Sequence, residues 1–279
     1  MSSNAINEDF LNKFDFVLIL SGLVGDPITK KHSRLSILYN EDYIIKFINK
    51  CAKSNIKKII FTSTCSNYGF IKNNAIAHEN FPLNPLSIYA KSKIKIENYL
   101  IQNLNKHNFQ TTILRFATAF GISPRMRFDL TISHFTKDAY LNKFLKIFDG
   151  NTWRPYCHVN DFADLIELVL ISNKDYKLEI FNSGGSKNNY TKNQIAETLL
   201  NKIHDLKIEY VEGDPDPRDY RVNFDKVRDF FGFIPKFDLN YGIEELLFML
   251  KKDKYNFEQL NKNYFGNYDL NNFIKAENK

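Results

Sequence analysis

Tyr89 and Lys93 stand four residues apart in the run Tyr89-Ala90-Lys91-Ser92-Lys93, and a helix there places both on one face. A phenol with a pKa of about 10 is a poor acid or base at neutral pH. An ammonium beside it favours the phenolate and brings proton transfer within reach. On a solvated helix face the same pair does nothing. Upstream, Phe61-Thr62-Ser63-Thr64-Cys65-Ser66-Asn67-Tyr68-Gly69 is a hydroxyl-rich segment leaving an apolar run. Open α/β sheets bind ligands at the carboxyl ends of their strands. A Thr hydroxyl there, facing Tyr89, would orient a substrate alcohol or carbonyl. The plainer alternative is a Ser/Thr turn that satisfies its own backbone.

Elements able to position these groups follow from periodicity. Phe14–Leu20, Lys58–Thr62 and Thr111–Phe116 are apolar, β-branched runs that read as buried strands. Between them, Glu41–Lys53 and about Ser87–Asn105 carry helical spacing. This rhythm predicts right-handed βαβ units and a parallel sheet with helices on its faces. Residues 121–150 read as loop plus helix. Helices are expected at Val159–Ser172, with Asp161 in the first turn, and at Thr191–His204, with Thr191 as N-cap and Gln194 completing a capping box. Strands are expected at Glu179–Asn182 and Lys207–Val211, a rigid loop at Asp214–Arg218, and helices at Phe224–Phe231 and Tyr241–Lys251. The tail from Asp253 is left open.

Taken in order, FTSTCSNYG at 61–69, PLSIYAKSK at 85–93, LRFATAFG at 114–121, RPYCHVND at 154–161, FNSGG at 181–185 and GDPDPRDYRVNFDKVRDFFGF at 213–233 resemble the extended short-chain dehydrogenase/reductases, the NAD-dependent epimerases and dehydratases of nucleotide sugars. The 25 residues from Thr64 to Tyr89 fit as well. The resemblance implies a Rossmann-like α/β fold with a small C-terminal α+β substrate lobe. The expected division is 1–120 for the cofactor-binding part, joined by the strand near 179–182, and 121–279 for the interleaved substrate lobe.

The resemblance also implies roles. Tyr89 would remove a sugar hydroxyl proton, Lys93 would depress its pKa and bond the nicotinamide ribose, and Thr64 would hydrogen-bond the reacting oxygen. Ser21, Gly22, Thr62 and Ser63 would line the NAD site together with Tyr89 and Lys93. Thr118, at a position where the family often has Asn, would touch the substrate. Arg154 and Arg218 would clamp its diphosphate, a task suited to bidentate guanidinium, with surface ion pairing as the alternative. Asp161 matches an acidic family position, though helix N-capping explains it equally well. Cys65 is expected to be a packing cysteine. Dehydrating members usually carry a carboxyl acid directly after the catalytic Ser/Thr; here Cys65-Ser66 stands instead, which favours epimerisation or oxidation/reduction. The activity implied is that of a nucleotide-sugar enzyme serving surface polysaccharide, with a homodimer through the Glu41–Lys53 and Ser87–Asn105 helices.

One departure is at the start. The family opens with strand–GxxGxxG–helix, whose glycines admit a pyrophosphate. This chain has 11 glycines, the first at Gly22. Ser21-Gly22-Leu23-Val24-Gly25 lacks the third glycine, is followed by Pro27 and the polar KKHSR in place of an apolar helix, and lies only 67 residues before Tyr89. It looks like the family's fourth strand end. The expectation is therefore an N-terminally truncated sheet lacking about 60 residues, with an exposed apolar edge at Phe14–Leu20 and weak or absent NAD binding. The sequence leaves open a late start or interrupted frame, a non-catalytic remnant or heterodimer partner, and a sheet completed by another chain.

Composition narrows the remaining classes. The 279 residues are 43% hydrophobic and 25% charged with a net charge of +6, values of a globular protein whose scattered basic residues do not point to nucleic acid. Three separated cysteines and six histidines form no metal-ligand spacing, so no metal is expected. A reducing cytoplasm, no signal peptide and no membrane span complete the reading.

Overall fold

A continuous apolar run is stable as a strand only when both its faces are covered. The computed structural model, which describes residues 6–213 and 216–255, shows the cover. Strands β1 (Phe16–Ile19), β2 (Lys58–Thr64), β4 (Gln110–Phe116) and β8 (Leu178–Ser183) form a parallel sheet in that order. Alternation divides their side chains between two cores. Ile59, Phe61 and Ile113 meet α1 (Glu8–Leu11), α4 (Tyr43–Cys51) and α5 (Ile88–Gln102) through Leu11, Ile44, Ile48, Ile96 and Leu100. Ile60, Leu114 and Phe181 point the other way, to Phe162, Leu165 and Val169 of α7 (Val159–Ile171) and Val227 of α9 (Asp225–Phe231). The parallel Rossmann-like α/β reading is borne out.

Lys58 shows how tightly one layer is joined to the next. Its buried ammonium donates to the carbonyls of Val169, Leu170 and Ser172 at 2.8, 3.3 and 3.2 Å, capping the carboxyl end of α7. Cations belong at that end of a helix. Among the described residues β1 is an edge strand paired only with β2, and Phe14, Phe16 and Leu20 are exposed along it.

The second lobe is built on Phe135, Leu145, Tyr156, Ile195 and Ile243, enclosed by α6 (Thr131–Asn142), α8 (Lys192–Leu200) and α10 (Leu239–Lys251). Strands β5 (Thr118–Phe120), β7 (Trp153–His158) and β9 (Asn189–Thr191) form one small sheet, and β6 (Phe144–Phe148) pairs with β10 (Lys207–Val211) in parallel. A two-residue pair, β3 (Ile76–Ala77) with β11 (Arg221–Val222), ties the lobes at their flank. β8 lies in the main sheet beside β4, and α7 and α9 pack on the same sheet.

Several local expectations need correction. Residues 121–150 hold β6 as well as the helix; its alternating Leu145 and Ile147 are buried after a left-handed turn at Lys143. RPYCH is a strand despite Pro155. The polar stretch after Gly25 is helical: α2 (Asp26–Lys31) carries Pro27 in its first turn, where the ring is tolerated, and α3 (Ser33–Ile37) follows. A wide helical turn at Leu38–Asp42 then leads into α4. The capping box of Thr191 and Gln194 is present. Asp161 lies in the first turn of α7 but does not cap it. His158 is the N-cap, and the Asp161 carboxylate instead accepts the backbone N–H groups of Lys236 and Phe237 at 2.8 and 3.2 Å. Asp214 of the proline loop and the tail beyond 255 lie outside the described residues.

His107, just before β4, is buried and stacked 3.8 Å from the ring of Phe109, and both its ring nitrogens lack partners. Burial, with Lys177 nearby, lowers its pKa. The folded chain therefore prefers neutral imidazole. That preference is fully satisfied above the ordinary histidine pKa of about 6.5 and turns into a loss as pH falls toward the lower folded value. His107→Phe is expected to raise the melting temperature more at pH 5 than at pH 7.5. A thermal melt series that shows the same increment at both values would contradict this.

Candidate active site

The catalytic candidates are held where β2 ends and α5 begins. Ser87 caps α5, its hydroxyl accepting the Ala90 N–H at 3.2 Å, so Tyr89 and Lys93 occupy successive turns of one face. Lys93 is 5% exposed, and its ammonium donates to the Thr62 carbonyl at 2.7 Å. It lies 5.6 Å from the centre of the Tyr89 ring and 4.7 Å from that of Phe61. Thr62 in turn donates its hydroxyl to the Ile19 carbonyl at 2.9 Å, fixing the carboxyl ends of β1 and β2 together. Thr64 begins a short helical turn, its Oγ1 accepting the Ser66 N–H at 3.1 Å.

A fully buried polar cluster lies beneath this ledge. Glu97, one turn beyond Lys93, accepts from Arg115 of β4 through Nε at 3.1 and 3.2 Å and through a terminal nitrogen at 2.7 Å; the side chains are 2% and 4% exposed. The same carboxylate accepts from Asn67 at 2.9 Å and from the Ser63 hydroxyl. Arg115 also donates to the Tyr68 hydroxyl at 3.0 Å and the Glu79 carbonyl at 2.9 Å. The Ser63 side chain therefore points into this cluster, away from the ledge. Neither Arg115 nor Glu97 is picked out by the motif reading. The available signal is an arginine inside the apolar run TTILRF, which demands a buried partner.

Electrostatics departs from expectation in one respect. Lys93 was expected to depress the Tyr89 pKa, yet Tyr89 is pushed up to about 12, by burial first and by the negative charge of Asp26 second, with Arg127 opposing. The physical reason is geometric: the Lys93 ammonium sits over the ring face and spends its one hydrogen bond on Thr62. Burial brings Lys93 itself down to about 8, opposed by Glu97.

The remaining candidates are spread along the cleft. Ser21 is exposed and Gly22 half-buried, just beyond β1. Gly22 (φ +151°) is a close-approach glycine: a Cβ there would lie 2.8 Å from the Asn40 side-chain oxygen, which accepts the Leu23 N–H at 2.6 Å. Thr118 is half-buried on β5. Arg154, on β7, and Arg218 are brought together at Asp216. Both reach Asp216: Arg218 through two bonds of 2.7 and 2.6 Å, Arg154 at 3.3 Å. Arg218 also meets Asp26 of α2 at 3.0 Å. Asp216 is held well below the usual carboxylate range by these guanidinium groups against the opposing effect of its burial. Asp216 lies within the 213–233 motif and Asp26 directly after Gly25, but neither is singled out by the motif reading. Cys65 is buried, its thiol donating to the Arg115 carbonyl at 3.1 Å and pushed far up in pKa by burial, as a packing cysteine should be. No cluster of His, Cys, Asp or Glu among the described residues has metal-binding geometry.

An NAD molecule fits part of this arrangement. Lys93 is a buried ammonium with one hydrogen bond out of the three it can donate, so it retains donors for a ribose hydroxyl. Residues 1–184 match the family model described as the NAD dependent epimerase/dehydratase family. The UDP-glucuronate 4-epimerase of Thermodesulfobacterium geofontis is 33% identical over 146 residues, which is 52% of this chain and 43% of that protein. The UDP-glucose 4-epimerase of Azospirillum brasilense is 26% identical over 223 residues, 71% of this chain and 62% of its own length. The matched region thus spans less than two thirds of either relative. In fold, the chain is similar to the UDP-glucuronic acid 4-epimerase of Bacillus cereus solved with UDP-glucuronic acid and NAD. That match has a TM-score of 0.78 at 23% identity and covers 88% of this chain and 78% of that one.

The Glu97–Arg115 pair predicts a measurable cost. Glu97→Gln leaves a buried guanidinium uncompensated and is expected to lower stability by about 3–5 kcal/mol in urea unfolding, whereas Ser63→Ala loses about 1 kcal/mol.

Proposed function

The chain belongs to the NAD dependent epimerase/dehydratase family, and from that premise we propose that it acts on a nucleotide-activated sugar by reversible oxidation at a hydroxyl-bearing carbon, as an epimerase or oxidoreductase. The observation that carries this reading is Lys93, buried beside Tyr89 and bonded to the Thr62 carbonyl at 2.7 Å, at the carboxyl end of β2. The 4-epimerase relatives, which act on UDP-glucose and UDP-glucuronate by name, support the substrate class.

In this mechanism Lys93 and the strand ends at Thr62–Thr64 and Ser21–Gly22 would hold NAD. When bound, NAD supplies the hydride acceptor and donor. Thr64 orients the reacting oxygen by hydrogen bonding. Tyr89 takes the hydroxyl proton through its Oη and returns it when the carbonyl is reduced. A phenol with a pKa near 12 does not do this at neutral pH, so the working state needs the charge around Tyr89 to change. Moving the Asp26 carboxylate away, or turning the Lys93 ammonium toward the phenol oxygen, would each lower it. Arg154, Arg218 and Thr118 bind the substrate. Dehydration is disfavoured because Cys65 and Ser66 offer no carboxyl acid after Thr64: the thiol is committed to the Arg115 carbonyl, and Ser66 lies 3.3 Å from the Tyr220 hydroxyl.

The same reading includes a cytoplasmic setting, supported by three buried free cysteines, and a role in supplying sugars for surface polysaccharide. It also includes a homodimer through α4 and α5, supported by a shallow hollow between them lined by Ile45, Ile94 and Tyr99. Among the described residues no helix is long and apolar enough to cross a membrane.

Because NAD binding is expected to be weak, incubation of the protein with saturating NAD and UDP-glucose or UDP-glucuronate, followed by NMR, should reveal slow formation of the 4-epimer; no change in any nucleotide sugar tried at saturating NAD would refute the reading. Tyr89→Phe is expected to lower kcat about 10²–10⁴-fold with the fold retained. Because the ammonium form of Lys93 is lost as pH rises through about 8, activity should decline on that alkaline side. A rate that stays flat to pH 10 would rule out a role for its charge.

A further inference from the structure

Arg154 and Arg218, the residues given above to the substrate diphosphate, already hold anions. Asp216 lies between them, bidentate on Arg218 and 3.3 Å from Arg154, and Asp26 takes the outer nitrogen of Arg218 at 3.0 Å. Two guanidinium groups and two carboxylates leave this part of the cleft with no net charge. The nearby Arg127 is likewise neutralised by Asp129, with bonds of 2.6 and 2.5 Å.

The partners are unequally buried. The arginine side chains are 10% and 22% exposed, while Asp216 and Asp26 are 37% and 36% exposed. Both carboxylates border water on one side, so an incoming anion can compete for the arginines from there; Asp216, bidentate on Arg218, is the more firmly held of the two. The arginines, left bare, would be poorly solvated cations. The two carboxylates also come from different places. Asp216 belongs to the same loop as Arg218, whereas Asp26 opens α2, whose charge raises the Tyr89 pKa.

We propose that Asp216 and Asp26 are built-in stand-ins for the substrate's two phosphates, gating the cleft so that it opens to a nucleoside diphosphate and discriminates against ligands with a single phosphate. The proposal rests on the reading that Arg154 and Arg218 bind the diphosphate. A ligand with one phosphate can displace one carboxylate and leaves the other in place. A diphosphate replaces both and satisfies both arginines. Its arrival also draws Arg218 from Asp26 and frees that carboxylate to swing outward, away from Tyr89. Asp216 and Asp26 thus act as specificity-determining residues that touch the substrate's binding groups only in its absence.

Calorimetry at fixed ionic strength with UDP and UMP tests this on the full chain, using the wild type, Asp216→Asn, Asp26→Asn and Arg218→Ala, with circular dichroism as a check of folding. Removing either competing carboxylate should tighten UDP binding about three- to tenfold, as expected for one unit charge across a partly hydrated contact. UMP should gain more than UDP, so the preference for UDP narrows. Unchanged or weaker UDP binding in both Asn variants, with Arg218→Ala still losing affinity, would overturn the gate while leaving the arginine assignment intact. If Arg218→Ala binds UDP as the wild type does, the arginine assignment fails and the gate fails with it.

Discussion

The buried ion pair between Glu97 and Arg115 is the constraint on which the rest of the site depends. A helix lying on a parallel sheet is held by apolar contacts that tolerate small slides. A carboxylate and a guanidinium, desolvated and sharing several bonds, do not, because any slide leaves a bare charge. The pair locks the third turn of α5 against β4, and the first two turns, carrying Tyr89 and Lys93, are thereby fixed over the end of β2. Through Ser63 and Asn67 the same carboxylate sets the path of the chain around Thr64. On the outer side, Glu41 clamps α5 in a second place by accepting from Ser92 at 2.7 Å and from Lys95.

Where the core of the site is rigid, the substrate side is adjustable. The Tyr89–Lys93 ledge is built on strands and a capped helix. Arg154 and Arg218 converge through a loop and are held by carboxylates that reach water. The elevated Tyr89 pKa belongs to the same division. Its first cause is burial of the phenol, and its second the charge of Asp26.

How much of this is legible in the sequence depends on the kind of signal each residue gives. Apolar runs such as Lys58–Thr62 and TTILRF announce buried strands because both faces must be apolar. Thr191 with Gln194 announces a helix start because the capping geometry is local. Tyr89, Lys93, Arg154 and Arg218 are visible as members of ordered motifs. Short strands of the second lobe are hidden: FLKIF has only two inward residues, and Pro155 argues against the strand that contains it. The helices after Gly25 are hidden by their polarity, since Ile28, Thr29 and Ser36 are their buried residues. Asp26 and Asp216 are invisible for a different reason. Their importance comes from an encounter between segments 190 residues apart, and nothing in either segment alone foretells it.

The return of β8 to the main sheet also governs how the chain can be made. β4 ends at Phe116, and the strand that covers its open side begins only at Leu178. During synthesis the residues between them, including β5, α6, β6 and β7, must emerge before that edge is closed. Until then Ile113 and Leu114 lie on a strand paired on one side only, and α9, which helps to cover Leu114, has yet to emerge. Sheet closure is thus a late, long-range event, slow by its contact order and open to misassociation while it waits. The interleaving that brings Arg218 to Asp26 therefore has a kinetic side. Neither lobe is finished until the other is largely in place, so holding the nascent edge apart from other chains is part of what this topology demands of the cell.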